Sequence, residues 1–204
     1  MINKKYKNIK CFFKNEEILD KYYNINTNKI YFTNKFSIDD YYNISYEAIF
    51  EILNNIDIEK YNELVDYYGN DGKFGLVSLS FGLKKVTLIE NDIYAFKLME
   101  KNKQTINPDD KNIEIININP TKYEVNKNSN LFFLNKPSII KDYFKIIYKI
   151  NQSIIEYPRN ILIILYYNSA KKELSSILEK EKNITKIECF NTDNEHNIAE
   201  IWKN

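Results

Sequence analysis

The chain has 204 residues and almost balanced charge, with 29 basic and 28 acidic side chains and a formal net charge of +1. This length predicts a single domain that needs no disulfide or metal, and two cysteines, Cys11 and Cys189, are too few for a disulfide framework or a zinc site. The global positive field expected of a nucleic-acid-binding protein is missing, and no apolar run reaches the ~20 residues of a membrane span, so we expect a cytoplasmic protein without a membrane partner.

The first 42 residues are predicted to form a short β-rich extension or cap. Residues 9–13 and 29–33 are β-like runs, and the polar residues between them are predicted to be rich in turns. From residue 43 the pattern becomes helical, with possible N-caps at Asn43 or Ser45. The apolar residues at helical spacing are Tyr46, Ile49, Phe50, Leu53 and Ile56. We therefore place one main domain at residues 43–204.

After residue 62, short β-prone runs alternate with helical segments. Strands are predicted at residues 64–67, 86–89, 113–116, 131–134 and 161–167, with closing strands at 184–190 and 198–202. Helices are predicted at 74–81, ended by Gly82, at 92–103, capped by Asp92, and at 170–181. Another helix begins at Ser138, with an inner face of Ile140, Tyr143, Phe144, Ile147, Ile150 and Ile154. This alternation is typical of an α/β fold with a mostly parallel twisted sheet and helices on both faces.

The four glycines of the chain all lie between Gly69 and Gly82. There the first predicted strand is followed by a tight loop, a helix and a second strand that ends in Glu90. Open α/β sheets bind adenosine-bearing cofactors with such a unit, in which the carboxylate lies about 20 residues beyond the loop.

At these residues the chain resembles the class I S-adenosylmethionine-dependent methyltransferases, over residues 43–204. Their first motif is an acidic residue that ends strand one, followed by the pattern Gly-x-Gly-x-Gly. Asp66 takes the acidic position, and Tyr68, Asn70 and Gly72 take the three glycine positions. Only the last glycine is retained, although Gly69 lies nearby. The resemblance implies a Rossmann-like methyltransferase fold.

The resemblance also implies S-adenosyl-L-methionine as the cofactor. The residues expected to hold it are Asp66, Tyr68, Gly69, Asn70, Gly72, Glu90, Asn91 and Asn117. Glu90 would accept hydrogen bonds from the ribose hydroxyls, and because it would face a cleft its removal is expected to change stability little; its alternative is a solvated or helix-capping carboxylate. Asn117, after the third strand, would border the adenine. Asp66 either contacts the cofactor or organises the loop amides without touching it.

Tyr68 leaves two alternatives open, because it stands at the first glycine position. Its ring either fills the space near the methionine moiety and obstructs binding, or lies beside the sulfonium, where an aromatic face attracts positive charge.

The substrate-side candidates are Asn135 and Pro137, at the end of the fourth predicted strand. The segment from Asn135 to Ser138 loosely resembles the Asn-Pro-Pro-Tyr box of methyltransferases that act on nucleic-acid amino groups. Residues 131–137 and 158–168 are similar to a group of small, poorly characterised bacterial methyltransferase-like proteins. Methyl transfer needs positioning more than proton transfer, so no catalytic acid or base is assigned. We expect a structural role for His196, the only histidine, and buried or inert cysteines.

The leading prediction is a methyltransferase with an unknown acceptor, a small molecule or protein being favoured over nucleic acid. Loss of two of three glycines favours a first alternative, a non-catalytic methyltransferase-fold scaffold or partner-binding protein. The Asn135 box favours a second, a nucleic-acid amino-methyltransferase, although Ser138 replaces the aromatic residue that would stack on a flipped base. A dinucleotide-dependent dehydrogenase is disfavoured because the loop is not Gly-x-Gly-x-x-Gly. The oligomeric state is left open.

Overall fold

The computed structural model describes residues 16–27, 44–135, 140–168, 174–192 and 197–204. Its helices are α1 (Glu16–Tyr23), α2 (Tyr46–Asn54), α3 (Lys73–Ser80), α4 (Ile93–Ile106), α5 (Ile140–Glu156) and α6 (Ser175–Leu178). Its strands are β1 (Glu63–Tyr67), β2 (Lys85–Glu90), β3 (Ile113–Asn117), β4 (Leu131–Asn135), β5 (Leu162–Asn168), β6 (Thr185–Thr192) and β7 (Asn197–Lys203). Short 3-10 helices precede β1 (Ile58–Lys60) and follow β3 (Pro120–Lys122).

The strands form one seven-stranded sheet with the order β3-β2-β1-β4-β5-β7-β6. β1 to β5 pair in parallel, whereas β7 runs antiparallel to both β5 and β6. β1 lies between β2 and β4, and the strand order reverses there. The predicted α/β fold with a mostly parallel sheet is confirmed.

Helices cover both faces of the sheet, so central strands bury their side chains whichever way they point. In β5 every residue from Leu162 to Tyr167 is buried. One core contains apolar side chains of α1 to α4, and the other contains those of α5 and α6. In the first core Phe74 of α3 stacks on Phe133 of β4, with ring centroids 3.7 Å apart. This double layer gives the carboxyl ends of the strands a rigid base.

Three predicted end signals are confirmed. Ser45 caps α2, because its hydroxyl accepts a hydrogen bond from the Ala48 N–H at 3.0 Å. Asp92 caps α4 by accepting from the N–H groups of Tyr94 and Ala95, both at 2.9 Å. Gly82 follows α3 with a φ of +103°, the left-handed backbone that favours glycine. These local signals fix where the helices beside β1 and β2 begin and end.

Two predictions about the helices are wrong. The segment predicted to be rich in turns contains α1, whose eight residues bury only Leu19 and Asp20 and so show too short an apolar pattern. Phe144 is 47% exposed, because the buried face of α5 is the stripe of Tyr143, Ile146, Ile147, Ile150 and Ser153. Successive residues of a helix point about 100° apart, and Tyr143 lies near the middle of this stripe, so Phe144 falls outside it.

One predicted helix is shorter in the structure, and several predicted features lie outside the described residues. The helix predicted to reach residue 181 ends at Leu178. The β-like runs at 9–13 and 29–33, and the possible caps Asn43 and Ser138, lie outside the described ranges.

Candidate cofactor site

The carboxyl ends of β1, β2, β3 and β4 meet at one edge of the sheet. In the strand register Glu90 lies beside Asn117, and Tyr67 lies between Ile89 and Leu134. Ligands of open α/β sheets bind outside these ends, where the strand order reverses. The loop of residues 68–72, which we call the cofactor loop, leaves β1 at this point and leads into α3.

The cofactor loop has the backbone of a glycine-rich loop although two glycines are missing. The three positions that match glycines all have positive φ, with 59° at Tyr68, 56° at Asn70 and 80° at Gly72. Glycine adopts this left-handed region freely and asparagine tolerates it, whereas a bulky residue is strained by about 1–2 kcal/mol. The loop therefore has, at all three positions, the backbone conformation that favours glycine, which its residue identities alone do not indicate.

Hydrogen bonds close this loop internally and attach it to β2. The N–H of Gly69 donates to the Ile89 carbonyl at 3.0 Å, and the N–H of Gly72 donates to the Gly69 carbonyl at 2.7 Å. The N–H of Asn70 donates to Oε2 of Glu90 at 3.0 Å. Two predicted parts of the site, the loop and Glu90, are thus in direct contact.

Glu90 is 5% exposed, so it is not a solvated carboxylate. Its Oε1 accepts from the N–H groups of Asn91 and Asp92, both at 2.8 Å, in addition to the Asn70 bond. Burial raises the pKa of Glu90 above its ordinary value, and these three amides offset part of the rise. Asn117 and Asn91 are exposed at the same edge, where the Asn117 amide donates to the Glu90 carbonyl at 2.8 Å.

Asp66 lies under the cofactor loop and is 1% exposed. Among the described residues neither carboxyl oxygen has a hydrogen-bond partner of good geometry. Burial raises the pKa of Asp66 well above its usual range; Asp71 and Glu90 raise it further, and the Gly75 amide lowers it. A buried carboxyl without a well-formed hydrogen bond is costly, so a cation or a donor placed beside Asp66 would be stabilising.

Gly75 is required by packing rather than by backbone conformation. A Cβ there would lie 2.3 Å from Cδ2 of Leu88 and 3.5 Å from Oδ2 of Asp66. The missing side chain lets α3 approach β2 closely.

The Tyr68 side chain is held towards α5. Its hydroxyl donates to Oδ2 of Asp142 at 3.2 Å, in the first turn of that helix. Burial, and then the Asp142 carboxylate, raise the pKa of Tyr68 above its ordinary value. The ring thus lies on the β4 side of β1, whereas Glu90 lies on the β2 side. Sequence reasoning missed Asp142, because only the fold brings the start of α5 to the loop.

On the acceptor side Asn135 is buried at the end of β4. Its carbonyl accepts from the Tyr143 hydroxyl at 3.0 Å, while its side-chain Oδ1 has no hydrogen-bond partner in the described structure. Pro137, His196 and Cys11 lie outside the described residues. Of the two alternatives predicted for Cys189, buried or inert, burial is wrong because Cys189 is exposed on β6.

Asp71, in the middle of the loop, is a buried acid that sequence reasoning missed. Its Oδ1 accepts from the Lys73 N–H at 3.0 Å, and Oδ2 has no partner among the described residues. Burial raises the pKa of Asp71 to about 6, although the Lys73 charge lowers it. A charged residue inside a loop with tight backbone geometry is the signal that could have revealed it.

The raised pKa of Asp71 predicts that the free energy of unfolding falls as the pH rises from about 4 to about 7. Across this window the folded protein holds a proton that the unfolded chain has released, so stability is greater at the acidic end. We expect a gain of about 1 kcal/mol between pH 7 and pH 5. Urea unfolding at several pH values measures it, with Asp71→Asn reducing the slope and the exposed Asp109→Asn leaving it unchanged. An unchanged slope in Asp71→Asn would contradict the assignment.

Within the described ranges no cluster of three or more acidic, histidine or cysteine side chains is suited to bind a metal ion. None of the described helices has the length and apolar character of a membrane span.

Comparison with known proteins identifies structural neighbours and a family for this chain. No curated protein matches the chain in sequence. A candidate methylase from Haemophilus influenzae has a similar structure, with a TM-score of 0.57 and 22% identity over 72% of this chain and 81% of that one. A candidate methyltransferase in complex with S-adenosylhomocysteine gives a TM-score of 0.59 and 14% identity over 76% of this chain, which spans about half (49%) of that longer protein.

An rRNA methylase from Streptococcus thermophilus gives a TM-score of 0.55 and 12% identity, over 72% of this chain and 88% of that one. These identities establish a shared fold. The model of the family described as "Conserved hypothetical protein 95" matches residues 43–192, most of the chain. The predicted class I methyltransferase family is confirmed, and with it, at the level of the family, an S-adenosylmethionine-dependent enzyme. The chain belongs to the conserved hypothetical protein 95 family, a class I methyltransferase family.

Proposed function

We propose that the protein is an active S-adenosylmethionine-dependent methyltransferase whose cofactor lies over the cofactor loop. The main support is the positive φ at all three glycine positions. Strained backbone persists where the surroundings enforce it and is concentrated at ligand sites. A loop that had lost its ligand has no need to keep Tyr68 and Asn70 in this conformation. The retained shape therefore favours an adapted site over an abandoned one.

The acidic residues fit the charge of the cofactor. S-adenosylmethionine carries an ammonium and a sulfonium cation, and the Asp66 carboxyl lacks a hydrogen-bond partner of good geometry among the described residues. We assign Asp66 to the ammonium of the methionine moiety, because a cation would supply that partner. Gly69 lies beside this carboxyl, since a Cβ there would be 3.6 Å from Cγ of Asp66.

Glu90 fits the ribose while also anchoring the loop. A carboxylate has about four acceptor positions, and three are used by backbone N–H groups. The remaining position is assigned to a ribose hydroxyl. Asn91 and Asn117 are exposed at the same edge and are assigned to the adenine side of the cofactor.

Asn135 is the substrate-side residue of this proposal. When bound, the cofactor supplies an electrophilic methyl group, so the protein has to hold the acceptor atom in line rather than move a proton. The buried Oδ1 of Asn135 is suited to accept a hydrogen bond from an amino or hydroxyl group of the acceptor. Pro137 stays a substrate-side prediction.

A binding titration tests the proposal. We expect calorimetry to show binding of S-adenosylmethionine and S-adenosylhomocysteine with a Kd below about 1 mM. ATP, which shares the adenosine but lacks the methionine moiety, serves as the control and should bind more weakly. Absence of both heat and a thermal shift with either ligand at millimolar concentration would contradict the proposal and favour a non-catalytic scaffold.

Tyr68→Gly should weaken binding of S-adenosylmethionine more than that of S-adenosylhomocysteine. The tie to Asp142 holds the ring at the β4 side of the loop, where an aromatic face can attract the sulfonium but not the neutral thioether. We expect a difference of about 0.5–2 kcal/mol between the two ligands, measured by calorimetry. Tyr68→Phe keeps the ring but loses the hydrogen bond to Asp142, so it should retain part of the preference. Tighter binding of both ligands to Tyr68→Gly would show instead that the ring obstructs the site.

A nucleic-acid amino-methyltransferase is the second candidate. The rRNA methylase among the structural neighbours and the position of Asn135 at the end of β4 favour it. The formal net charge of +1 argues against it. Methyl transfer from isotope-labelled cofactor to ribosomal RNA, compared with pooled small molecules and proteins, separates the two possibilities.

A further inference from the structure

We infer that Lys73 is a positioning residue for the cofactor loop and that it acts by joining this loop to helix α1. The inference rests on the proposed function, because it concerns the loop that would bind S-adenosylmethionine. Lys73 is the first residue of α3, directly after Gly72, yet its side chain is only 2% exposed. A lysine so deeply buried needs an explanation.

The partners of the Lys73 ammonium come from outside the β1–α3–β2 unit. Its Nζ lies 2.8 Å from Oε2 of Glu16 in α1 and 4.6 Å from the ring centroid of Tyr46 in α2. Taking an ammonium out of water costs several kcal/mol unless it is paired. The buried position of Lys73 therefore depends on α1.

A second connection joins the loop to the segment after α1. The amide of Asn102 in α4 donates to the carbonyl of Asp71 at 2.9 Å and to the carbonyl of Asn26 at 3.3 Å. In return the N–H of Asn26 donates to Oδ1 of Asn102 at 2.9 Å. Residues 71–73 are thus linked to Glu16, the first residue of α1, and through Asn102 to Asn26 in the segment after α1.

Helix α1 is itself fixed on α2. The Tyr46 hydroxyl donates to Oδ1 of Asp20 at 2.9 Å, and the Tyr46 N–H donates to Oε1 of Glu16 at 2.9 Å. Oδ2 of Asp20 accepts from the Thr27 hydroxyl at 2.7 Å. α1 is therefore held on α2 by hydrogen bonds that do not involve the cofactor loop.

The strain in the loop gives these links a function. Tyr68 and Asn70 keep positive φ only while the residues on either side are held in place. The hydrogen bonds to β2 hold residues 69 and 70, and the links to α1 and Asn102 hold residues 71–73. Loss of the links that hold residues 71–73 to α1 and Asn102 frees the loop to relax away from the cofactor-binding shape.

The experiment removes the charges without removing bulk, with Glu16→Gln and Lys73→Met alone and together. Glu16→Gln is the gentler change, because the Glu16 side chain is 42% exposed and glutamine keeps an acceptor for Tyr46. Asp57→Asn is the control, since it breaks an exposed ion pair with Lys60. Two quantities are measured on each full-length variant: amide hydrogen exchange of residues 69–73 against that of β5, and affinity for S-adenosylhomocysteine.

We expect Glu16→Gln to speed exchange in the loop about fivefold with β5 unchanged, and to weaken S-adenosylhomocysteine binding about three- to tenfold. Lys73→Met should change loop exchange and ligand affinity at least as much. The double variant should change them no more than Lys73→Met, and the Asp57→Asn control should change neither. Unchanged loop exchange, exchange that rises equally in β5, or unchanged affinity overturns the inference. If the wild type binds neither ligand, the proposed function fails, and locally faster exchange then shows only a structural role for Lys73.

Discussion

Replacing Gly72 with alanine should reduce the free energy of unfolding by about 2–5 kcal/mol and abolish measurable cofactor binding. Gly72 has a φ of +80°, where a Cβ costs about 1–2 kcal/mol. That Cβ would also lie 2.9 Å from Cγ of Met99 and 3.1 Å from Cδ1 of Leu88, both buried, which adds about 1–3 kcal/mol of overpacking. Urea unfolding and calorimetry with S-adenosylhomocysteine measure the two effects.

Gly82→Ala is the matched control for this change. Gly82 also has positive φ, +103°, but a Cβ there would meet only Cγ of Glu59 at 3.6 Å, an ordinary contact. We expect Gly82→Ala to reduce the free energy of unfolding only by the cost of the left-handed backbone, about 1–2 kcal/mol, and to leave ligand affinity unchanged. Equal losses in the two variants would show that packing around Gly72 contributes nothing.

Glu90→Ala should reduce the free energy of unfolding by about 2–4 kcal/mol and weaken cofactor binding by about 1–3 kcal/mol. The stability loss arises because the N–H groups of Asn70, Asn91 and Asp92 lose their acceptor in a buried setting. The binding loss arises because the ribose loses a charged acceptor. The sequence-based expectation of nearly unchanged stability rests on a carboxylate that faces a cleft, whereas the Glu90 side chain is 5% exposed, so the structure leads us to expect the larger loss.

Glu90→Gln separates the two roles in the same assays. Its amide oxygen keeps an acceptor for the backbone N–H groups, so we expect most of the stability to return while ligand binding stays weakened. A Glu90→Ala variant that binds normally would remove Glu90 from the cofactor site and leave it only the anchoring role.

The sheet was predictable from sequence because its determinants are local. Continuous apolar runs such as that in β5 bury both faces of a strand, and caps such as Ser45 and Asp92 mark helix ends within a few residues. Helix α1 was not predictable in this way. Its stability depends on partners distant in sequence, such as Tyr46, which lies 30 residues after Glu16.

The site was predictable in its outline and not in its detail. The order of Asp66, Gly72 and Glu90 along the chain predicts a cofactor at the ends of β1 and β2, which the strand register brings side by side. The positive φ of Tyr68 is not visible in the residue itself, because tyrosine disfavours that conformation and only the surrounding contacts impose it. Likewise, Lys73 looks like an ordinary surface lysine until the fold places Glu16 against it.

The hydrogen bonds of the loop also determine when it forms during folding. The Gly69 N–H donates to Ile89, 20 residues later in the chain, and Asn70 depends on Glu90 in the same way. Neither acceptor is in place until β2 has paired with β1, and closing such a connection costs chain entropy that no contact inside the loop recovers. We therefore expect the sheet to assemble first and the left-handed turn at its edge to become ordered late.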